Sequence, residues 1–277
     1  MGQITAAAVK AFRDRTGLPL MDCKKALMEA NGDEEKAIEA LRKRGEKLAN
    51  KRADRETGFG RFGLYFGLDK PVAAMVELKC ESAPVAANEE VIQFANDLAR
   101  QLAEGPGAAT PDELLAQPSP SNPKEALADR KADLFNRIRE VFNIGRIVRV
   151  DGTCGGYSHN AATVAGVLLE VEGGTDAAAH DVCMHITAMR PQALTVAELD
   201  PAIVAKEREI LREAALKEGK PENIVDKMVE GRLHAFYAER VLLEQAFVKE
   251  NKISVGKYAE QQGMKIKRFI HWELGRE

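Results

Sequence analysis

The stretch Arg15-Thr-Gly-Leu-Pro-Leu-Met-Asp-Cys-Lys-Lys-Ala-Leu-Met-Glu-Ala-Asn-Gly-Asp33 constrains the fold more than any other. It reads as a turn, a short helix and a second turn, set between two further helices. Ile4, Ala8, Ala11 and Phe12 recur at helical spacing before it, and Ala37, Ile38 and Leu41 after it. Thr16-Gly17-Leu18-Pro19 stops the first helix, because glycine tolerates positive φ and proline excludes the preceding residue from the α region. Asn31-Gly32 closes the second. Asp33 caps the third, with Glu34 and Glu35 in its first turn and Arg42, Lys43, Arg44 and Gly45 at its end. The pattern predicts a three-helix module over residues 1–46, small enough to be marginal alone.

The remaining chain has room for more. With 277 residues there is material for two or three cored domains. No run approaches the roughly eighteen apolar residues that span a bilayer, and no apolar signal segment precedes the first helix, so no membrane association and a bacterial-type cytoplasm are expected. A net charge of −3 and a pI near 6.1 give no field for nucleic acid. Cys23, Cys80, Cys154 and Cys183 lie far apart, which argues for buried thiols over a disulfide framework or zinc site.

Residues 47–61 are densely charged and read as a tether. Gly58-x-Gly60-x-x-Gly63 matches the dinucleotide fingerprint as a pattern, but no strand precedes it and a strand follows, so no bound nucleotide or other cofactor is expected. The core N-subdomain is read over 62–142: two strands turning at Asp69-Lys70-Pro71, a helix from Asn88 to Leu102, a capped helix at Thr110-Pro111, and another through Leu127, Leu134, Ile138 and Val141. The second core subdomain is read over 143–277. Arg146 to Val150 opens its strands, Ala162 to Val171 continues them, and Asp176 to Met189 is helical. Two hairpin-plus-helix units suggest duplication. At about 200–240 a helical hairpin is inserted, with Val204, Arg208, Leu211 and Ala215 facing Ile224, Met228, Leu233 and Phe236 across a turn at Gly219-Lys220-Pro221. Ile266 to Leu274 is a final strand. The fold class expected is α+β, with antiparallel sheets.

Thr16-Gly17, Met21-Asp22-Cys23-Lys24-Lys25-Ala26-Leu27, Glu29-Ala30-Asn31-Gly32-Asp33 and Ala37-Ile38 closely resemble the amino-terminal module of the elongation factor Ts family. Tyr157-Ser-His159-Asn-Ala161, Met184-His185-Ile186, Lys227-Met-Val-Glu-Gly-Arg232 and Gln245-Ala-Phe247-Val248 extend the resemblance over nearly the whole chain. It implies a ubiquitin-associated-like (UBA-like) first module, a duplicated two-part core, and nucleotide exchange on the translational GTPase EF-Tu, with no covalent chemistry. The family's carboxy-terminal helix has no counterpart at Gly275-Arg-Glu277. Homodimer and 2:2 complex both stay open.

The resemblance also assigns contacts. Leu20, Met21 and Asp22 fall where the first module meets the GTPase; core packing of Leu20 and Met21 is the alternative. His159, expected in a turn, matches a partner-facing histidine, against the alternative of a solvated loop residue. The family places Thr-Asp-Phe-Val after a cysteine, and the match here is Ser82-Ala83-Pro84-Val85 after Cys80-Glu81. Alanine and proline replace the aspartate and the wedging phenylalanine. Ser82 is expected to cap the helix there, leaving a blunt, rigid tip; the alternative is an EF-Tu-binding protein without efficient exchange. His180, Cys183 and His185 lack the spacing of a metal site.

Overall fold

The computed structural model describes residues 4–219 and 221–276, without the side chains at 222 and 223. The expected turn at 219–221 therefore includes one position, 220, outside the described residues.

α1 (Ala6–Thr16), α2 (Leu20–Glu29) and α3 (Glu34–Lys51) form the first module. Thr5 Oγ1 accepts from the Ala8 N–H and Asp33 Oδ1 from the Lys36 N–H, so α1 and α3 start on side-chain caps. Gly17, at φ 66°, ends α1. Phe12, Cys23, Ala26, Leu27, Ala37 and Leu41 close the core. Helix α3 does not stop at Gly45 as expected. It runs on to Lys51 because Gly45 is a contact and not a terminator: a Cβ there would lie 1.6 Å from Asn136 Oδ1. Helix therefore occupies the start of the expected 47–61 tether, and strand its end.

The core follows as β1 (Phe59–Tyr65), β2 (Ala73–Cys80), α4 (Ala83–Ala86), α5 (Glu89–Glu104), α6 (Pro111–Leu115), β3 (Pro118–Ser119), β4 (Asn122–Ala126), α7 (Leu127–Ile138) and β5 (Asn143–Val150). Then come β6 (Cys154–Asn160), β7 (Val164–Gly173), α8 (Asp176–Met189), α9 (Pro201–Lys217), α10 (Glu222–Arg240), β8 (Ala246–Phe247), β9 (Glu250–Ser254), α11 (Val255–Gln261) and β10 (Met264–Glu273). The first antiparallel sheet has the order β1-β2-β5 and the second β10-β7-β6. Strand β5, expected to open the second unit, instead completes the first sheet, pairing Ala73 with Val150 and Lys79 with Asn143.

Alternation along β2 explains the layering. Ala74, Val76, Leu78 and Cys80 face α5 through Val91, Phe94, Ala95, Leu98 and Leu102. Ala73 and Met75, with Phe62 and Val150 of the same sheet, face the second sheet, where they meet Cys154 and Leu168. On the far side, Val167, Leu169 and Val171 pack under α8. The result is helix, sheet, sheet, helix. The duplication runs further than the sequence suggested: each half has a long hairpin, a covering helix, a short hairpin (β3-β4, β8-β9), another helix, and a strand returning to its own sheet.

Helices α9 and α10 occupy the place in the second half that α6 has in the first. Their seam holds Ala215, Val225, Val229 and Leu233, while Ile224 is exposed and Met228 half-buried. The expected stripe was thus one residue out of phase over the first half of α10.

Candidate functional site

Leu20 and Met21 open α2, directly after Pro19, so the proline fixes where the helix begins. Cys23, Ala26 and Leu27 take the inward face, which leaves Leu20 48% and Met21 69% exposed. The bundle-core alternative for this pair is thereby overturned. Asp22 is not free: its Oδ2 accepts from Arg139 Nη2 at the end of α7.

The second candidate segment follows β2. Ser82 stands at the N-cap position of α4, yet it makes no cap bond, contrary to expectation. Its hydroxyl is turned instead toward Glu140, donating to Oε1 at 2.6 Å. Pro84 occupies the first turn, and Ala83 and Pro84 are exposed while Val85 packs against the core. The Cys80 thiol, pushed up to about 11 by burial, donates to the Ser82 carbonyl at 3.3 Å. Glu81 accepts from the Val141 N–H at 2.8 Å and Arg55 Nη1 at 2.9 Å. Burial raises its carboxyl, but those donors prevail and hold it below the usual carboxylate value.

His159 lies within β6, paired with Ala165, and not in the turn where it was expected. It is half-buried, with Nδ1 2.9 Å from the Tyr157 hydroxyl. Strand β6 outlasts the expected boundary because Asn160 still pairs with Val164, leaving only 161–163 to turn. That turn, the α4 tip and the start of β1 line one groove of about 750 Å³, with Phe59, Arg61, Ala83, Ala161 and Leu274 among its walls. Sequence reasoning missed Arg139, Glu140 and Glu81; they follow no spacing rule, since each acts on a residue distant in the chain.

The histidines of α8 diverge. His180 meets the Tyr157 ring edge-on, and Cys183 is buried. His185 is fully buried: its Nδ1 accepts from the Val248 N–H at 3.2 Å, so Nε2 carries the proton and donates to Gln245 Oε1 at 3.0 Å. Among the described residues, no three His, Cys, Asp or Glu side chains converge as metal ligands. Burial lowers the His185 pKa from its ordinary 6.5 despite the Gln245 bond. The unfolded chain thus takes up this proton first on acidification, and stability, full above pH 6.5, falls as the pH drops below it. The thermal midpoint is expected to decline between about pH 7 and pH 5.5, within histidine's titration range of roughly pH 5 to 8. His185→Asn, which keeps an acceptor for Val248, should lessen that decline, to which His271, also lowered by burial, contributes; an unchanged slope would remove His185 as a source.

Among the described residues no helix is long and apolar enough to cross a membrane. The family model described as "Elongation factor TS" matches residues 81–276. An elongation factor Ts of Aquifex aeolicus is 39% identical over 284 aligned positions, covering 96% of each chain. That of Mycobacterium tuberculosis (strain H37Ra) is 38% identical over 279, covering 99% of each, and that of Thioalkalivibrio sulfidiphilus is 38% identical over 276, covering 98% of this chain and 92% of its own. Both the matched core and the near full-length identity lead to one assignment: the chain belongs to the elongation factor Ts family of translation elongation factors.

Proposed function

We propose that this protein binds the translational GTPase EF-Tu and accelerates GDP release from it during elongation, in the cytoplasm, with no bond made or broken by its own side chains. The observation that carries the reading is the pair Leu20 and Met21, apolar and 48% and 69% exposed at the start of α2, on a module whose core is complete without them. Exposed apolar groups beside a packed core are what a partner-facing anchor requires. The α4 tip, Ala83 and Pro84, supplies a second contact and His159 a third.

Exchange follows by linkage. A protein that binds the empty GTPase better than the loaded one weakens nucleotide binding by the same factor. Here the tip carries neither a carboxylate nor an aromatic ring, so displacement rests on the rigidity of Ser82-Ala83-Pro84-Val85: Ser82 is tied to Glu140, and Val85 is packed into the core. The same departure from Asp-Phe favours a second reading, binding to EF-Tu without efficient exchange. Release of labelled GDP from EF-Tu, with and without saturating protein, separates the two. Acceleration supports exchange; binding without acceleration supports the second reading. Neither requires nucleic acid or a membrane, and a homodimer or 2:2 complex fits both.

Met21→Asp is expected to weaken the EF-Tu complex by about tenfold or more while leaving the thermal midpoint unchanged, because it places a charge in an apolar contact outside the module core. Unchanged affinity would remove α2 from the interface.

A further inference from the structure

Three consecutive residues after α7 hold both contact elements. Arg139 binds Asp22, next to Met21; Glu140 binds Ser82, next to Ala83; and the Val141 N–H binds Glu81. Arg139 also accepts from Arg52 Nη1 through its carbonyl at 2.8 Å, which fastens the end of α3. It adopts φ 67°, ψ 20°, a left-handed conformation that favours glycine, yet an arginine stands there. In that conformation its carbonyl and guanidinium both reach the first module, while the next residue turns to the α4 tip.

We propose that Arg139 and Glu140 are positioning residues that hold the Leu20–Met21 face and the Ala83–Pro84 tip in one fixed arrangement, so that a single partner meets both at once. The idea rests on the EF-Tu reading above. A module free on its tether would present both faces together only part of the time, and apparent affinity falls in proportion to that fraction. Asp22, placed by the resemblance among partner contacts, thereby acts within the chain. Its side chain is 42% and that of Arg139 29% exposed, so the pair is open to solvent and its docking is salt-sensitive.

The test is a charge swap in the full chain. Asp22→Arg and Arg139→Asp singly are each expected to weaken binding to nucleotide-free EF-Tu by about five- to tenfold, as the docked fraction drops. Combined, they restore the attraction in reverse and should recover affinity to within about threefold of the parent. Proteolysis within 52–58, followed without EF-Tu, should quicken in each single variant and slow again in the double. Arg139→Gly keeps the backbone conformation and removes the guanidinium; it should retain the thermal midpoint yet bind more weakly. If the double variant binds no better than the singles, Asp22 or Arg139 touches the partner directly and the clamp is overturned. If Arg139→Gly binds as tightly as the parent, it is overturned again. If the parent itself fails to bind EF-Tu while proteolysis still follows the swap, the EF-Tu reading fails and the clamp stands as a property of the fold.

Discussion

Arg146→Ala is expected to cost about 3 kcal/mol of stability, because it removes the guanidinium from the Glu77 carboxylate buried between the two sheets and leaves it one backbone N–H. The Glu77 side chain is 2% exposed. Arg146 supplies it with three donors: Nη2 to Oε1 at 2.9 Å, Nε to Oε2 at 3.1 Å, and its own N–H to Oε2 at 3.2 Å. Lys79 lies 3.8 Å away, too far to replace the fork. The same guanidinium donates to the Glu273 carbonyl at 2.8 Å and stands 5.0 Å from the Trp272 ring, so it also joins β5 to β10. Trp272 is the chain's single tryptophan. Its fluorescence during urea unfolding therefore reads this junction directly. The Arg146→Met, Glu77→Met double variant should recover much of the loss, since an apolar pair leaves no charge unpartnered. A loss for Arg146→Ala below about 1 kcal/mol would mean that the pair behaves as a hydrated surface bridge.

Gly63→Ala is the second large effect expected. A Cβ at Gly63 would lie 1.9 Å from the Ala95 carbonyl oxygen and 2.3 Å from its carbon, both in the backbone of α5. No rotamer change relieves a backbone overlap, so the helix must lift from β1 and open the interface lined by Phe94 and Leu98. About 3 kcal/mol, the upper end for overpacking a filled core, is expected in urea unfolding. Gly231→Ala is the control. It lies inside α10 with nothing within 4 Å of its added Cβ, and should stabilise by about 0.4–1 kcal/mol. Equal effects at the two sites would show that helix-sheet contact is not what Gly63 secures.

Gly63 also explains why the glycine pattern at residues 58–63 looked like a phosphate-binding signature. It is small for the sake of a helix packed across a strand, a use that leaves the same letters in the sequence. Periodicity carried the long elements: α5, α8 and β7 repeat their apolar residues over enough positions to be read, and the caps read at Asp33 and Thr110 mark where α3 and α6 begin. Strands β3 and β8 have two residues each and no alternation to detect, which hid the depth of the duplication. Strand β5 was legible as a strand, but its partner β2 lies some seventy residues away and no local pattern names it.

The candidate site was legible in part. Leu20 and Met21 are placed by the resemblance with core packing left open, and their exposure is settled by the inward face that Cys23, Ala26 and Leu27 take; the exposed Ala83-Pro84 tip follows from proline at a helix start. The bonds that hold them do not. Ser82 reads as a helix cap in any local view, and only the fold brings Glu140 within 2.6 Å of it. His159 reads as lying in a turn between two strands; Ser158 and Asn160 on either side of it favour turns, and pairing with β7 overrides that preference.

The proposed exchange rests on preference for an empty GTPase. Its most direct measurement is a titration of this protein against EF-Tu in two states, nucleotide-free and saturated with GDP, read by calorimetry under one buffer. Much tighter binding to the empty form is expected, with the ratio of the two dissociation constants equal to the factor by which the protein weakens GDP binding. Equal affinity for both forms would contradict it.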